Sequence, residues 1–196
     1  MIQDLTKRKR KKAFVLSQQI EEPLDLYQHL PFQIAVVSNL LQLNRDLAIR
    51  EIADLEPREL RILLNIGSYQ PLSSADIAYQ SRMDSYTVSR AVEKLNSLNL
   101  IAVSFLPSNK KVKYLSLNKS GKKFYQRLCQ VIKQRTAQLE SVLSETEQTE
   151  LMRLLAKLED KAEQILAQHA SDKLQQGESL PADQKEIIRW FKRSQN

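Results

Sequence analysis

The chain has 196 residues, 42% of them hydrophobic, with only 3 Gly and 6 Pro, so it can bury a real core and is neither loop-rich nor all-β. Its formal charge of +7 suits a polyanionic partner. One cysteine and two histidines exclude an internal disulfide framework and an ordinary Cys/His zinc site, and no apolar run approaches the roughly 18 residues of a membrane helix.

The first 22 residues carry Lys7-Arg8-Lys9-Arg10-Lys11-Lys12. Like charges in a block repel, so this stretch reads as a solvated tail or a nucleic-acid-binding arm. Phe14, Val15, Leu16 and Ile20 are candidates to dock its end to the body. No apolar segment of a secretory signal follows, which gives the expectation of a soluble cytoplasmic protein. Pro31 suits the first turn of a helix. Ile34, Val37, Leu41, Leu47 and Ile52 then predict one broad apolar face through about Glu51. Pro57 opens a second helix with Leu60, Leu63, Leu64 and Gly67 inward, and a turn is expected at 67–71. Ser73 and Asp76 form a capping-box pattern ahead of a short helix packed through Ile77 and Ala78. Asp84 is the next N-cap. Val88, Ala91, Val92 and Leu95 follow at i, i+3, i+4 and i+7, the spacing of an amphipathic helix. Asn99 suits a left-handed C-terminal turn.

Residues 100–106 and 112–117 read as two strands, with Pro107-Ser108-Asn109-Lys110-Lys111 as a basic hairpin tip. Asn118 can cap a helix with Phe124, Leu128, Val131, Ile132 and Leu139 on its apolar side. Ser144 and Glu147 form another capping box. Leu151, Leu154, Leu155, Leu158, Ala162 and Ile165 then make a heptad-like stripe. After His169 a polar linker containing Gly177 and Pro181 is expected. Ile187, Ile188, Trp190 and Phe191 mark a last short amphipathic helix, for which folding back on the body is the commoner outcome. Cys129, among Leu128, Val131 and Ile132, reads as a buried, inert thiol. His29 and His169 are isolated.

The chemistry concentrates at 83–94. If Val88, Ala91, Val92 and Leu95 bury, then Ser85, Tyr86, Ser89, Arg90 and Lys94 lie outside, with Thr87 among the hydroxyls at the helix start. Hydroxyls at a helix N-terminus bond phosphate, helped by the helix dipole. Arg90 can bond guanine O6 and N7 through both arms of its guanidinium. The competing reading is a solvated pair of Arg90 with Glu93 or Asp84. Lys110 and Lys111 can meet a groove or backbone, or be an ordinary hairpin tip. Lys113 and Lys122 can add phosphate contacts.

This order of elements, together with Pro57-Arg58-Glu59-Leu60, Leu72-Ser73-Ser74-Ala75-Asp76-Ile77-Ala78, Val88-Ser89-Arg90-Ala91-Val92-Glu93-Lys94-Leu95, Asn99-Leu100-Ile101 and Leu117-Asn118-Lys119-Ser120-Gly121, resembles the MarR family of winged helix-turn-helix transcription regulators over roughly 30–168. The wing departs from the family: Asn109-Lys110-Lys111 stands where Asp-x-Arg is usual, and lysine lacks arginine's planar fork. The resemblance implies a mainly α fold with a small β-hairpin wing. A winged domain at 57–118 would sit between dimerisation helices at 23–56 and 119–170, with a basic arm at 1–22 and a linker and short helix at 171–196. It implies a homodimer, most often a repressor, on a pseudo-palindromic double-stranded DNA operator, touched by Ser73, Ser74, Ser85, Tyr86, Thr87, Ser89, Arg90, Lys94, Asn109, Lys110 and Lys111. It also implies a small aromatic acid or thioester ligand near Arg45, Arg50 and Arg61, whose alternative is surface pairing with Asp46, Glu51 and Glu59.

No cofactor, membrane contact or catalytic set is expected, since the sequence has no Gly-rich phosphate loop, no histidine near a nucleophile and no metal spacing. A basic architectural protein with little sequence preference is the main alternative.

Overall fold

The computed structural model describes residues 19–106 and 109–195. The basic run at 7–12, the apolar Phe14, Val15 and Leu16, and the hairpin tip Pro107-Ser108 lie outside the described residues, as do the side chains of Asn109 and Lys110. Ile20 is exposed rather than docked.

The expected helix at 31–51 is broken into three pieces. These are α1 (Leu30–Leu41), a 3-10 turn (Leu43–Arg45) and α2 (Leu47–Ile52). Asp46 causes the restart: its carboxylate accepts from the N–H groups of Ala48 and Ile49 and so caps a new helix. Arg135 fixes the same corner, with Nε 3.4 Å from Asp46 and its guanidinium donating to the Leu40 and Leu41 carbonyls. His29 has a role the sequence reading did not give it, since its Nδ1 accepts from the Phe32 N–H at 3.3 Å and caps α1.

Helix α3 (Pro57–Tyr69) is opened by a Glu56–Glu59 capping box and runs through the turn expected at Gly67. Then come β1 (Leu72–Ser73), α4 (Ser74–Ser81), α5 (Ser85–Ser97), β2 (Ile101–Leu106) and β3 (Asn109–Leu117). The sheet has three antiparallel strands in the order β1-β3-β2, not the two of a bare hairpin. Leu72 faces Leu115 and Ser73 faces Tyr114, while Ile101 faces Leu117 and Phe105 faces Lys113. The pairing shifts between Phe105 and Leu106, toward the tip.

The core gathers Ile49, Leu60, Ile62, Leu63, Ile66, Ile77, Val88, Leu95 and Leu128, all essentially inaccessible to solvent. Helix α6 (Lys119–Glu140) is capped by Asn118, which accepts from Gly121 N–H at 2.8 Å. Cys129 on α6 is half-buried rather than buried, beside Tyr125. There the Ser68 hydroxyl draws the Tyr125 phenol down, but burial and the Cys129 thiol outweigh it and leave the phenol raised. Helix α7 (Glu145–Gln175) starts at the Ser144–Glu147 capping box. It continues past His169, where a linker was expected, and the turn follows at Gly177, with φ 80°. Helix α8 (Ala182–Ser194) folds back along α7 and onto the α4–α5 unit.

Asn99 adopts φ 52°, the left-handed turn its side chain tolerates, and so feeds α5 into β2. The start of α6 then crosses this corner at its closest. A Cβ on Gly121 would overlap the Leu100 carbonyl oxygen, which is backbone and cannot swing aside. We therefore expect Gly121→Ala to lower stability by about 1–3 kcal/mol, read as a reduced urea midpoint with an unchanged slope.

Candidate nucleic-acid interface

Two short helices with a tight turn between them carry most of the candidate residues. The turn is made by Arg82, the left-handed C-cap of α4 at φ 51°. Met83 is buried beneath it. Asp84 then caps α5, accepting from the Thr87 N–H at 2.8 Å and the Thr87 hydroxyl at 2.7 Å. These bonds from Thr87 hold the Asp84 carboxyl below the ordinary carboxylate range. The Thr87 hydroxyl is therefore committed to the cap and is not offered outward.

Val88, Ala91 and Leu95 bury one face of α5. Tyr86, Ser89, Arg90 and Lys94 are left exposed on the other. Arg90 meets Glu93 at 3.4 Å, with side chains 67% and 68% exposed. Such a pair contributes about 0–1 kcal/mol and yields readily to a phosphate or base edge.

Ser73 and Ser74 divide their roles. The Ser73 hydroxyl donates to Asp76 at 2.7 Å and accepts from the Asp76 N–H at 3.2 Å, and the residue is buried. It shapes the start of α4, while Ser74 is exposed there. Burial pushes the Asp76 carboxyl up, but hydrogen bonds from Ser73 and the nearby Arg193 outweigh it and leave the group lowered. Ser85 is exposed, but its hydrogen-bonding groups are already taken. Its N–H donates to Glu186 Oε2 at 3.2 Å and its hydroxyl to Glu186 Oε1.

On the wing, Lys111 and Lys113 are exposed on β3. Val103 and Phe105 are exposed on β2, so the outer wing is a two-stranded ribbon with solvent around it. Lys122 is exposed on the first turns of α6.

The three candidate ligand arginines are all exposed and do not converge on one site. Arg45 and Arg50 line a polar hollow of about 420 Å³ with Asn44, Asp54 and Glu56. Arg61 instead lines a mainly apolar groove of about 620 Å³ between α1, α3 and α7, with Leu30, Ile34, Val37, Leu151 and Leu155. Of their expected acidic partners, Asp46 pairs with Arg135 and Glu59 is used in the α3 cap.

The residues that sequence reasoning missed are Arg82, at the end of α4, and its partners on α7, together with two residues of α8. Arg82 lies 4.5 Å over the Tyr79 ring and pairs with Glu159 at 3.2 Å and Glu163 at 3.4 Å. Glu159 and Glu163 sit one turn apart on a helix read for its aliphatic stripe, which hinted at a cationic partner without identifying it. Glu186 and Arg193 gave no signal, since each is one charge among many on a polar helix. Among the described residues, no helix is long and apolar enough to cross a membrane, and no cluster of three or more His, Cys, Asp or Glu could hold a metal ion.

Residues 53–111, the span from the end of α2 into β3, match the MarR family model. The fold is similar to a MarR/EmrR family transcriptional regulator from Acinetobacter sp. ADP1, at 27% identity and TM-score 0.66, over 72% of this chain and 99% of that one. It is similar to the PcaV transcriptional regulator of Streptomyces coelicolor, solved with its natural ligand, at 18% identity and TM-score 0.62, over 72% and 99% of the two chains. It is also similar to BpsR of Bordetella bronchiseptica, whose DNA binding is regulated by 6-hydroxynicotinic acid, at 18% identity and TM-score 0.58, over 71% and 99%. A comparison with curated protein sequences gives no match.

The Asp84 cap is the local feature most open to a direct check. Asp84→Ala should cost about 1 kcal/mol of stability. The folded-state carboxyl is lowered, so this contribution is complete above the ordinary aspartate range. It is lost as pH falls through the folded-state value. Urea titrations at neutral pH and in strong acid should show the gap between wild type and variant closing in acid.

Proposed function

We propose that the chain, whose residues 53–111 match the MarR family model, is a winged helix-turn-helix regulator of that family, a homodimeric repressor on a pseudo-palindromic operator released by a small aromatic or anionic ligand. The observation that carries the DNA reading is the outer face of α5. Tyr86, Ser89, Arg90 and Lys94 are exposed on a helix whose other face is locked into the core. In this reading Arg90 reads a guanine edge in the major groove, while Ser74, Lys94 and Lys122 position the backbone. Lys110 and Lys111 approach the neighbouring groove from the wing. We assign the chain no catalytic reaction.

The homodimer is supported by apolar surface that one chain leaves uncovered. Leu30, Val37 and Leu40 on α1 and Leu151, Leu154, Leu155 and Leu158 on α7 are all exposed, and exposed aliphatic residues grouped on two helices mark an interaction surface. A two-fold axis through these helices would set two α5 helices about 34 Å apart, one turn of DNA. The ligand reading is supported by the groove beneath α1, whose one charged lining residue is Arg61. An apolar wall with a single guanidinium suits an aromatic carboxylate. The ligand-bound PcaV and the ligand-regulated BpsR give the same reading an analogy.

Selection of duplexes from a randomised pool, followed by affinity measurements across a salt series, tests the DNA reading. Arg90→Ala should weaken binding to the selected duplex by about 1–3 kcal/mol. Binding to unrelated duplex and its salt slope should be nearly unchanged. Equal wild-type affinity for selected and unrelated DNA would instead favour a basic architectural protein. Separately, Leu155→Asp should convert a dimer to a monomer in sedimentation equilibrium and abolish tight operator binding.

A further inference from the structure

Helix α8 lies across the starts of both helices of the helix-turn-helix. Three residues at i, i+4 and i+7 on one face make the contact. Glu186 is buried, and both of its carboxylate oxygens engage Ser85, the first residue of α5. Trp190 packs against the core cluster, with the Arg82 guanidinium 6.0 Å from its ring. Arg193 reaches the first turn of α4, where its Nη2 is 2.9 Å from Asp76 Oδ1 and its guanidinium is 4.6 Å over Tyr79.

These are the places where a helix-turn-helix holds the phosphate backbone. The first N–H groups of a helix have no intrahelical partner, and the helix dipole favours an anion there. A phosphate at the start of α5 would need the Ser85 N–H and hydroxyl. In this structure an anionic oxygen pair from the chain itself already holds both.

Resting on the DNA-binding reading above, we propose that α8 is an autoinhibitory latch: Glu186 is a phosphate surrogate at the recognition helix, anchored at its far end by Arg193 on Asp76, and DNA binds only after α8 leaves. A ligand that binds only the open state has its apparent affinity reduced by the fraction of molecules that are open. DNA therefore works against the latch, and anything that loosens α8 strengthens DNA binding. The helix is suited to leave. It follows a turn at Gly177, and it carries exposed Lys185 and Arg189, which keep it soluble once its apolar face is uncovered.

Two point variants of the full chain separate a latch from a simple charge effect. Glu186→Ala removes a negative charge near the DNA face, and Arg193→Ala removes a positive one. A through-space charge effect predicts opposite signs, tighter for the first and weaker for the second. A latch predicts the same sign. Both variants should bind a duplex selected from a randomised pool more tightly than wild type, Glu186→Ala by about fivefold or more and Arg193→Ala, which loses a screened pair, by about twofold or more. The chain's single tryptophan, Trp190, gives a second readout. Its emission should move to the red when that duplex is titrated into wild type, and should start redder in both variants. Unchanged affinity in both variants, or weaker binding by Arg193→Ala, would overturn the latch while leaving the DNA reading intact. Failure of wild type and both variants to enrich any duplex would overturn the DNA reading, and the latch with it.

Discussion

Helix α3 has to satisfy more neighbours than one narrow apolar stripe can serve. Leu60, Ile62, Leu63 and Ile66 are all sealed from solvent, and together they cover nearly half the circumference of the helix. The buried side of α5, built from Val88, Ala91 and Leu95, rests on this surface, as do α4 and β3. Gly67 lets α6 come close, because a Cβ there would overlap the Tyr125 ring. Meanwhile Pro57, Arg61 and Leu64 look the other way and line the groove under α1. One rigid helix therefore joins the proposed ligand groove to the recognition helix. A well-packed core transmits a shift rather than absorbing it, so a ligand that displaced Arg61 or Leu64 would tilt the surface on which α5 sits.

Much of this arrangement was readable from local chemistry. Helix starts were legible because caps are local: Ser73 with Asp76, Asp84 with Thr87, Asn118 with Gly121 and Ser144 with Glu147 each act within three residues. The buried face of α5 was legible because its period is carried by four residues, Val88, Ala91, Val92 and Leu95, within eight positions of sequence. The features that escaped depend on partners far away in the chain. β1 is two residues long and exists only because Leu115 and Tyr114 pair with it. Ser85 carries the hydroxyl expected of a phosphate contact, and nothing local reveals that Glu186, 101 residues later, takes it. The break after α1 shows the opposite failure. The apolar period runs on through 31–52, but Asp46 imposes a cap inside it, and a local cap overrode a longer-range pattern. Helix α7 outran its expected end because Ala170 and the residues around it bury against α8, whose return was not visible from the polar sequence between them.

The amphipathic helices outside the core fall into two kinds. Those of α1 and α7 keep large aliphatic residues exposed among the described residues. Helix α8 is different, because its apolar and charged groups find partners on α4, α5 and α7. That contrast separates the surface of the proposed homodimer from one that closes on the chain itself. In the homodimer proposed above, these exposed aliphatic residues of α1 and α7 would form the apolar centre of the interface.

The closing contact is small by comparison. The Arg193–Asp76 pair has side chains 52% and 28% exposed, so solvent screens it, and it holds about 0–1 kcal/mol. Trp190 and Phe191 are only half-buried, whereas the residues joining α3 to α5 are sealed. Elements that move are drawn from the least stable part of a structure, where contacts are few and solvent reaches the hydrogen bonds. By that measure α8 can detach while α3, α4 and α5 stay packed. Removing it breaks the Glu186 and Arg193 contacts and uncovers Trp190 and the face of α7 beneath it, and it frees the N–H and hydroxyl of Ser85 without disturbing the Asp84 cap, because the two anions sit on different donors of the same helix start. The recognition helix thus keeps its shape in both states, and what changes is only which anion its first residue holds.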